Sequence, residues 1–262
     1  MKLSISNIAW SAEQDEQMYR FLGEMGYSGI EIAPTRIFSE DPYGKISEAR
    51  AFAQMLKETH HLEVPSMQSI WFGRTERIFG SEEERGILLA YTKKAVDFAA
   101  AVRCKNLVFG CPKNRVISDR GQYPVAVRFF SELGEYAKEK GTVIAIEPNP
   151  PIYQTNFINT TREAIALVED VGSEGLMVNI DIGTVIENGE DLDVMAGRLD
   201  RVSHIHISEP FLARIAEREL HKRLFSLLDS EGYEKYISIE MKNLGNLDEV
   251  QQTMRYVKEV FQ

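Results

Sequence analysis

Cysteine is scarce in this chain: Cys104 and Cys111 are the only two in 262 residues. Seven positions apart, they match no metal-binding spacing and offer no disulfide framework. A reduced, cytoplasmic setting is therefore the expectation. Clusters of basic residues are also missing, and 40 acidic against 30 basic side chains leave a formal charge of -10. That balance opposes polyphosphates and nucleic acid, so neither is expected as a partner. No apolar run approaches the ~20 residues of a membrane span. The opening Met-Lys-Leu-Ser-Ile-Ser-Asn alternates polar and apolar where a secretory leader would be continuously apolar. No membrane partner is expected either. A Gly-rich turn after the first apolar run is absent, which argues against a dinucleotide-binding open sheet. With no linker, low-complexity tract or composition shift, residues 1–262 read as a single domain.

What is present is a repeated alternation. The pattern predicts eight strands, over Leu3–Ile8, Ser28–Ile32, Val64–Ser69, Asn106–Gly110, Val143–Glu147, Leu176–Asp181, Val202–Ile207 and Tyr236–Met241. Helical periodicity fills the gaps, over Asp15–Met25, Ile46–His60, Glu82–Ala101, Gln122–Lys140, Thr161–Val171, Asp191–Leu199, Ala213–Ser230 and Leu247–Phe261. Thr160 reads as a helix start, and Gly141 and Gly232 as helix stops. Strict strand-helix alternation implies parallel pairing with right-handed crossovers, and eight such units fit a (β/α)8 TIM barrel. The long connections at 34–44, 71–81, 111–121 and 149–159 all follow strands, on the face where barrel enzymes carry their chemistry.

Four of the strands carry a polar, metal-ligating residue at the last or next-to-last position: Glu147, Asp181, His206 and Glu240. Side chains alternate faces along a strand. Ile144 and Ile146 therefore oppose Glu147, Val178 and Ile180 oppose Asp181, Ile205 and Ile207 oppose His206, and Ile237 and Ile239 oppose Glu240. The β-branched set belongs outside, against helices, and the polar set inside. A buried acid without a partner is costly, and no basic residue stands at a matching position, Lys242 being the nearest. Three carboxylates and one imidazole suit Mn, Mg, Co or Zn with positions left open, and do not suit a closed structural zinc.

The segments Ile-Glu-Pro-Asn-Pro, Asn-Ile-Asp-Ile-Gly, Ser-His-Ile-His-Ile-Ser-Glu-Pro and Ser-Ile-Glu-Met-Lys resemble, in order and spacing, the metal-binding strand ends of the xylose isomerase-like TIM barrels. Within them the chain is most similar to the sugar phosphate isomerase/epimerase group. The resemblance implies that Glu147, Asp181, His206 and Glu240 hold one divalent ion, and that Glu147 and Glu240 are catalytic, exchanging protons from opposite faces of a sugar or sugar phosphate. A dehydratase or lyase acting on a polyol ketone would begin with the same enolisation. Lesion-specific phosphodiester cleavage and a non-catalytic sugar-binding role are the other readings considered. Relatives commonly carry a histidine three residues after the aspartate, where this chain has Thr184. That departure argues against a trinuclear zinc centre and leaves the sugar unspecified.

Further residues are candidates for substrate contact. His204 either meets substrate or is a buried, hydrogen-bonded histidine. Glu209 orients His206, binds a hydroxyl or caps the next helix. Lys113, Asn114 and Arg115 either hold a phosphate or carboxylate or belong to a solvated loop. Glu31 and Gln68 lie at earlier strand ends, and Asn149 lies near the mouth beside Glu147. Trp10, Trp71 and Phe72 stack on a sugar or roof the barrel. A homo-oligomer is compatible with all of this.

Overall fold

The computed structural model describes residues 1–262. Its strands are β1 (Lys2–Ser6), β2 (Gly29–Glu31), β3 (Ser66–Met67), β4 (Asn106–Phe109), β5 (Val143–Ile146), β6 (Leu176–Asp181), β7 (Val202–Ser208) and β8 (Tyr236–Glu240). The helices are α1 (Asp15–Glu24), α2 (Pro34–Ile37), α3 (Ile46–His60), α4 (Glu82–Ala101), α5 (Tyr123–Glu139), α6 (Thr161–Val171), α7 (Ile182–Asn188), α8 (Glu219–Ser230) and α9 (Leu247–Phe261). Neighbouring strands pair in parallel in the order β2-β1-β8-β7-β6-β5-β4-β3. Isolated parallel bridges from Gly29 to Glu63 and from Ile32 to Met67 close the gap between β2 and β3. The result is the expected (β/α)8 barrel. No helix is long and apolar enough to cross a membrane.

Strand parity holds around the ring. Leu3, Ile5, Ile30, Ile32, Leu107, Phe109, Ile144, Ile146, Val178, Ile180, Ile205, Ile207, Ile237 and Ile239 are buried and join the continuous apolar core. Their alternates Ser4, Ser6, Glu31, Asn106, Asn179, His204, His206 and Ser238 are equally buried, yet polar. The lumen is thus a polar column inside an apolar shell, and each lumen group needs a partner that the lumen itself supplies.

Helix ends follow local chemistry. Thr160 and Glu163 form a capping box that starts α6, and Gly141 and Gly232 take the left-handed backbone after α5 and α8. Two expected helices differ. The helix predicted over Asp191–Leu199 is instead α7, which begins directly after Asp181, because that carboxylate accepts the Thr184 N–H and caps the first turn. Residues 191–199 keep only short 3-10 turns. The seventh helix starts at Glu219 rather than Ala213, since Glu209 draws the Ala216 N–H and the Arg218 side chain to itself and holds the intervening chain out of the helix. Strand β3 is only two residues long: Pro65 before it has no N–H to donate, and Ser69 after it turns into the left-handed region.

Strand β6, which ends on Asp181, is seated by two glycines. The Ile144 N–H donates to the Gly175 carbonyl, and a Cβ at Gly175 would overlap the Gly134 carbonyl oxygen on α5. The atoms it would meet, the Gly134 carbonyl and the Lys138 nitrogen, are all backbone, so rotamer changes give no relief. Gly175→Ala is expected to destabilise the fold by about 3 kcal/mol, at the upper end of overpacking costs, as read by denaturant melts. A loss below about 1 kcal/mol would contradict this seating.

Candidate metal centre

At the C-terminal end of β5 to β8, Glu147, Asp181, His206 and Glu240 each place one ligand atom within 4.8 Å of the others. Asp181 pairs in register with His206, and Ser208 with Glu240, so neighbouring strands bring the groups to one level. His206 is the centre of the set. Its Nδ1 lies 3.1 Å from Glu147 Oε1 and 3.2 Å from Glu240 Oε2. Its Nε2 faces the other way, 3.0 Å from Glu31 Oε2. Glu31, wholly buried on β2, also meets His204 Nε2 at 3.3 Å.

The geometry settles which nitrogen of His206 faces the ligand cluster. An Nε2–H bonded to Glu31 leaves the Nδ1 lone pair directed between Glu147 and Glu240, the arrangement in which a carboxylate behind a histidine orients it as a ligand. Glu147 is held at both oxygens: Asn179 Nδ2 donates to Oε1 at 2.7 Å and Asn149 Nδ2 to Oε2 at 3.1 Å. Asp181 accepts from Ser208 Oγ and from the Thr184 N–H. Thr184 Oγ1 donates to the Pro148 carbonyl, so this side chain ties α7 to the end of β5.

Four buried carboxylates, counting Glu31, surround one imidazole. Burial raises Glu240, against the pull of His206, and raises Asp181, helped by the Glu147 charge. Burial opposes charge on Glu31 as well, but the His206 and His204 imidazoles more than offset it and hold the group below the usual carboxylate range. His206 is raised because Glu31 and Glu240 outweigh its burial. A single imidazolium therefore faces several acids, and the protein supplies no other cation in contact with their oxygens. Three oxygen donors and one neutral nitrogen at this spacing fit a divalent ion.

The sequence profile of the xylose isomerase-like TIM barrels matches residues 19–260. The chain belongs to this family. An L-ribulose 3-epimerase of Mesorhizobium japonicum is 24% identical over 134 residues, which are 50% of this chain and 44% of that protein. Among solved folds, the 3-keto-D-glucoside 4-epimerase of E. coli superposes with a TM-score of 0.81 at 20% identity, covering 99% of both chains. A D-psicose 3-epimerase in the presence of D-fructose gives 0.78 at 17% identity, over 99% of this chain and 96% of that one. The IOLI protein, solved with a zinc atom, gives 0.74 at 16% identity, over 99% and 96%. These likenesses describe the barrel.

The other candidate residues divide. Glu31, His204 and Asn149 join the cluster's surroundings as described. Gln68 is buried and donates to Ser6 Oγ. Glu209 does not orient His206: both its oxygens are taken by Arg218 at 2.6 Å. The three candidates on the loop after β4 do not converge on one point. Lys113 is exposed, Asn114 is spent on the carbonyls of Arg74 and Glu76, and Arg115 is completely buried. Arg115 is not at a strand end and pairs with none of the carboxylates. Its Nη2 donates to the backbone oxygen of Glu147, while Lys242 stays exposed. Trp71 is a core residue bonded to Thr92, and Trp10 is bonded to Asp15.

The aromatic pair beside the cluster escaped the sequence reading. Tyr153, after β5, packs its ring 5.8 Å from that of Phe211, after β7, and its hydroxyl accepts the Phe211 N–H at 2.7 Å. Burial raises the Tyr153 phenol, the Phe211 N–H opposes that, and the charges of Asp181, Glu240 and Glu147 raise it further. Phe211 is 59% exposed. Phe211 and Leu212 both adopt left-handed backbone, with φ of 60° and 53°, a cost of ~1–2 kcal/mol per residue. No local sequence signal marks two non-glycine residues for that conformation.

Raised Asp181 and Glu240 carry a sign. The native state keeps protons that the unfolded chain releases above pH ~4. Chelator-treated protein is therefore expected to lose stability from these groups as pH rises from there toward neutrality. A divalent ion needs the ionised forms, so added Mn2+ should raise the melting temperature more at about pH 8 than at about pH 5.5. At 100 times Kd the gain should be ~2.7 kcal/mol, or roughly 5 °C. A melting temperature indifferent to metal at both pH values would count against the site.

Proposed function

We propose that this protein is a divalent-metal-dependent isomerase or epimerase of a sugar or sugar phosphate. The observation that carries the reading is the placement of Glu147 and Glu240. They stand on β5 and β8, flanking His206, with β6 and β7 between their strands. A proton removed from one side of a carbon next to a carbonyl can then be returned from the other, which inverts that carbon, or returned to the neighbouring carbon, which moves the carbonyl.

A divalent ion held by Glu147, Asp181, His206 and Glu240 would supply Lewis-acid polarisation of the substrate carbonyl. The protein's own groups do the rest. Glu147 is gripped at both oxygens by amide N–H donors, whereas Glu240 faces only the His206 ring, at Nδ1. Burial raises Glu240 toward neutrality. One carboxylate takes the proton and the other returns it, and Glu147 and Glu240 exchange these roles between the forward and reverse reactions. Tyr153 and Phe211 offer a rigid apolar wall to the carbon face of a sugar. Thr184, tied to the Pro148 carbonyl, leaves that side of the mouth without an imidazole. The half-length match to an L-ribulose 3-epimerase agrees with a ketose substrate.

The test is incubation of metal-replete protein with ketoses, aldoses and their phosphates in heavy water. Deuterium entering the carbon beside the carbonyl is the expected result. Release of water to form an ene-product would assign a dehydratase instead, and no exchange with any sugar would overturn the proposal. On the sugar so found, Glu240→Gln and Glu147→Gln should each lower kcat by about 10²–10⁴-fold, and turnover close to wild type in either would remove that residue's role. Phe211→Ala should raise KM more than it lowers kcat, by roughly tenfold if ~1.4 kcal/mol of ring contact is lost. An unchanged KM would show that the wall does not meet substrate.

A further inference from the structure

Arg115 is the largest side chain in the protein with no exposure at all. A guanidinium is seldom buried without a carboxylate partner, and this one forms no ion pair. Its Nη2 donates to the Glu147 carbonyl oxygen at 2.7 Å and to Asn149 Oδ1 at 2.5 Å, while Nε and Nη1 have no partner. Burial lowers it to about 10, so it remains a cation at neutral pH.

An asparagine amide can be turned over to exchange its oxygen and nitrogen. Asn149 is anchored through its backbone, donating to Ile158 and accepting from Asn159 Nδ2 at 2.8 Å, so only the side-chain orientation is free. With Oδ1 against the guanidinium, Nδ2 faces Glu147 Oε2 at 3.1 Å. Turned over, the amide would set N–H against a cation and oxygen against a carboxylate, two mismatches at once. The other Glu147 oxygen is already fixed by Asn179. Space for Oε2 comes from Gly110, where a Cβ would stand 2.8 Å from that oxygen.

We infer that Arg115 is a positioning residue: it fixes the Asn149 amide, and the amide in turn fixes Glu147 in its metal-binding orientation. The inference rests on the metal-centre reading given above. It also explains why a charged side chain occupies a place where an apolar one would cost less: the charge discriminates between the two faces of one amide, which shape alone cannot do.

The experiment is a double-mutant cycle read as Mn2+ affinity, by competition with a fluorescent chelator on chelator-treated full-length protein. Asn149→Ala and Arg115→Met should each weaken Mn2+ binding by ~10–100-fold, the usual effect of removing a group that orients a ligand. The double variant should be no weaker than the weaker single one, because Arg115 acts through Asn149. Losses that multiply would overturn the inference, since Arg115 would then act by another route or through general packing. Unchanged affinity in Asn149→Ala would overturn it as well. If Arg115→Met does not fold, Arg115→Lys takes its place in the cycle, keeping the charge without the guanidinium's reach to both acceptors. Absence of Mn2+ binding by the wild-type protein would instead bring down the metal-centre reading, and this inference with it.

Discussion

The contact on which this structure depends is that of His206 with the acids around it. Its two nitrogens face Glu31 on one side and Glu147 with Glu240 on the other. One imidazole cannot balance that many buried carboxylates, even fully protonated. A buried ion pair or cluster is tolerated only when charge and hydrogen bonding are both satisfied. The cluster of Glu147, Asp181, His206 and Glu240 is thus a candidate site for a divalent cation.

The polar lumen is the corollary. A barrel whose inward positions were all aliphatic would strand His206 and Glu31 without partners. Here His204 braces Glu31 from below, and Asn179 reaches Glu147. Asp181 has two duties, since the same carboxylate that faces the cluster caps α7 through the Thr184 N–H. Its two oxygens divide the work, Oδ1 accepting the Thr184 N–H and Oδ2 the Ser208 hydroxyl. Sharing one residue between helix start and ligand set ties the local fold of α7 to the centre.

Around the mouth, rigidity is maintained by less regular means. Phe211 is exposed but not loose. Its N–H is held by Tyr153, and the Leu212 carbonyl accepts from the Lys242 N–H at the end of β8. An exposed aromatic on a left-handed backbone is thus fixed from both sides. Glu209 and Arg218, by contrast, satisfy each other and keep the chain before α8 extended.

The sequence by itself determined the barrel and the four strand-end residues at its mouth. Both are matters of period: the alternation of strand and helix sets the architecture, and the two-residue repeat of Ile144, Ile146, Ile205, Ile207, Ile237 and Ile239 points their alternates inward. Properties that depend on groups distant in sequence stayed hidden. Arg115 looked like an anion-binding loop residue because its burial under Asn149, 34 positions on, leaves no local mark. Glu209 looked available because its partner Arg218 lies beyond an irregular stretch. Glu31 became the brace of His206 only across 175 residues of chain. Tertiary structure decided which polar group meets which, because pairing in a folded lumen is set by the closing of the barrel, and periodicity carries no information about the neighbour across the ring.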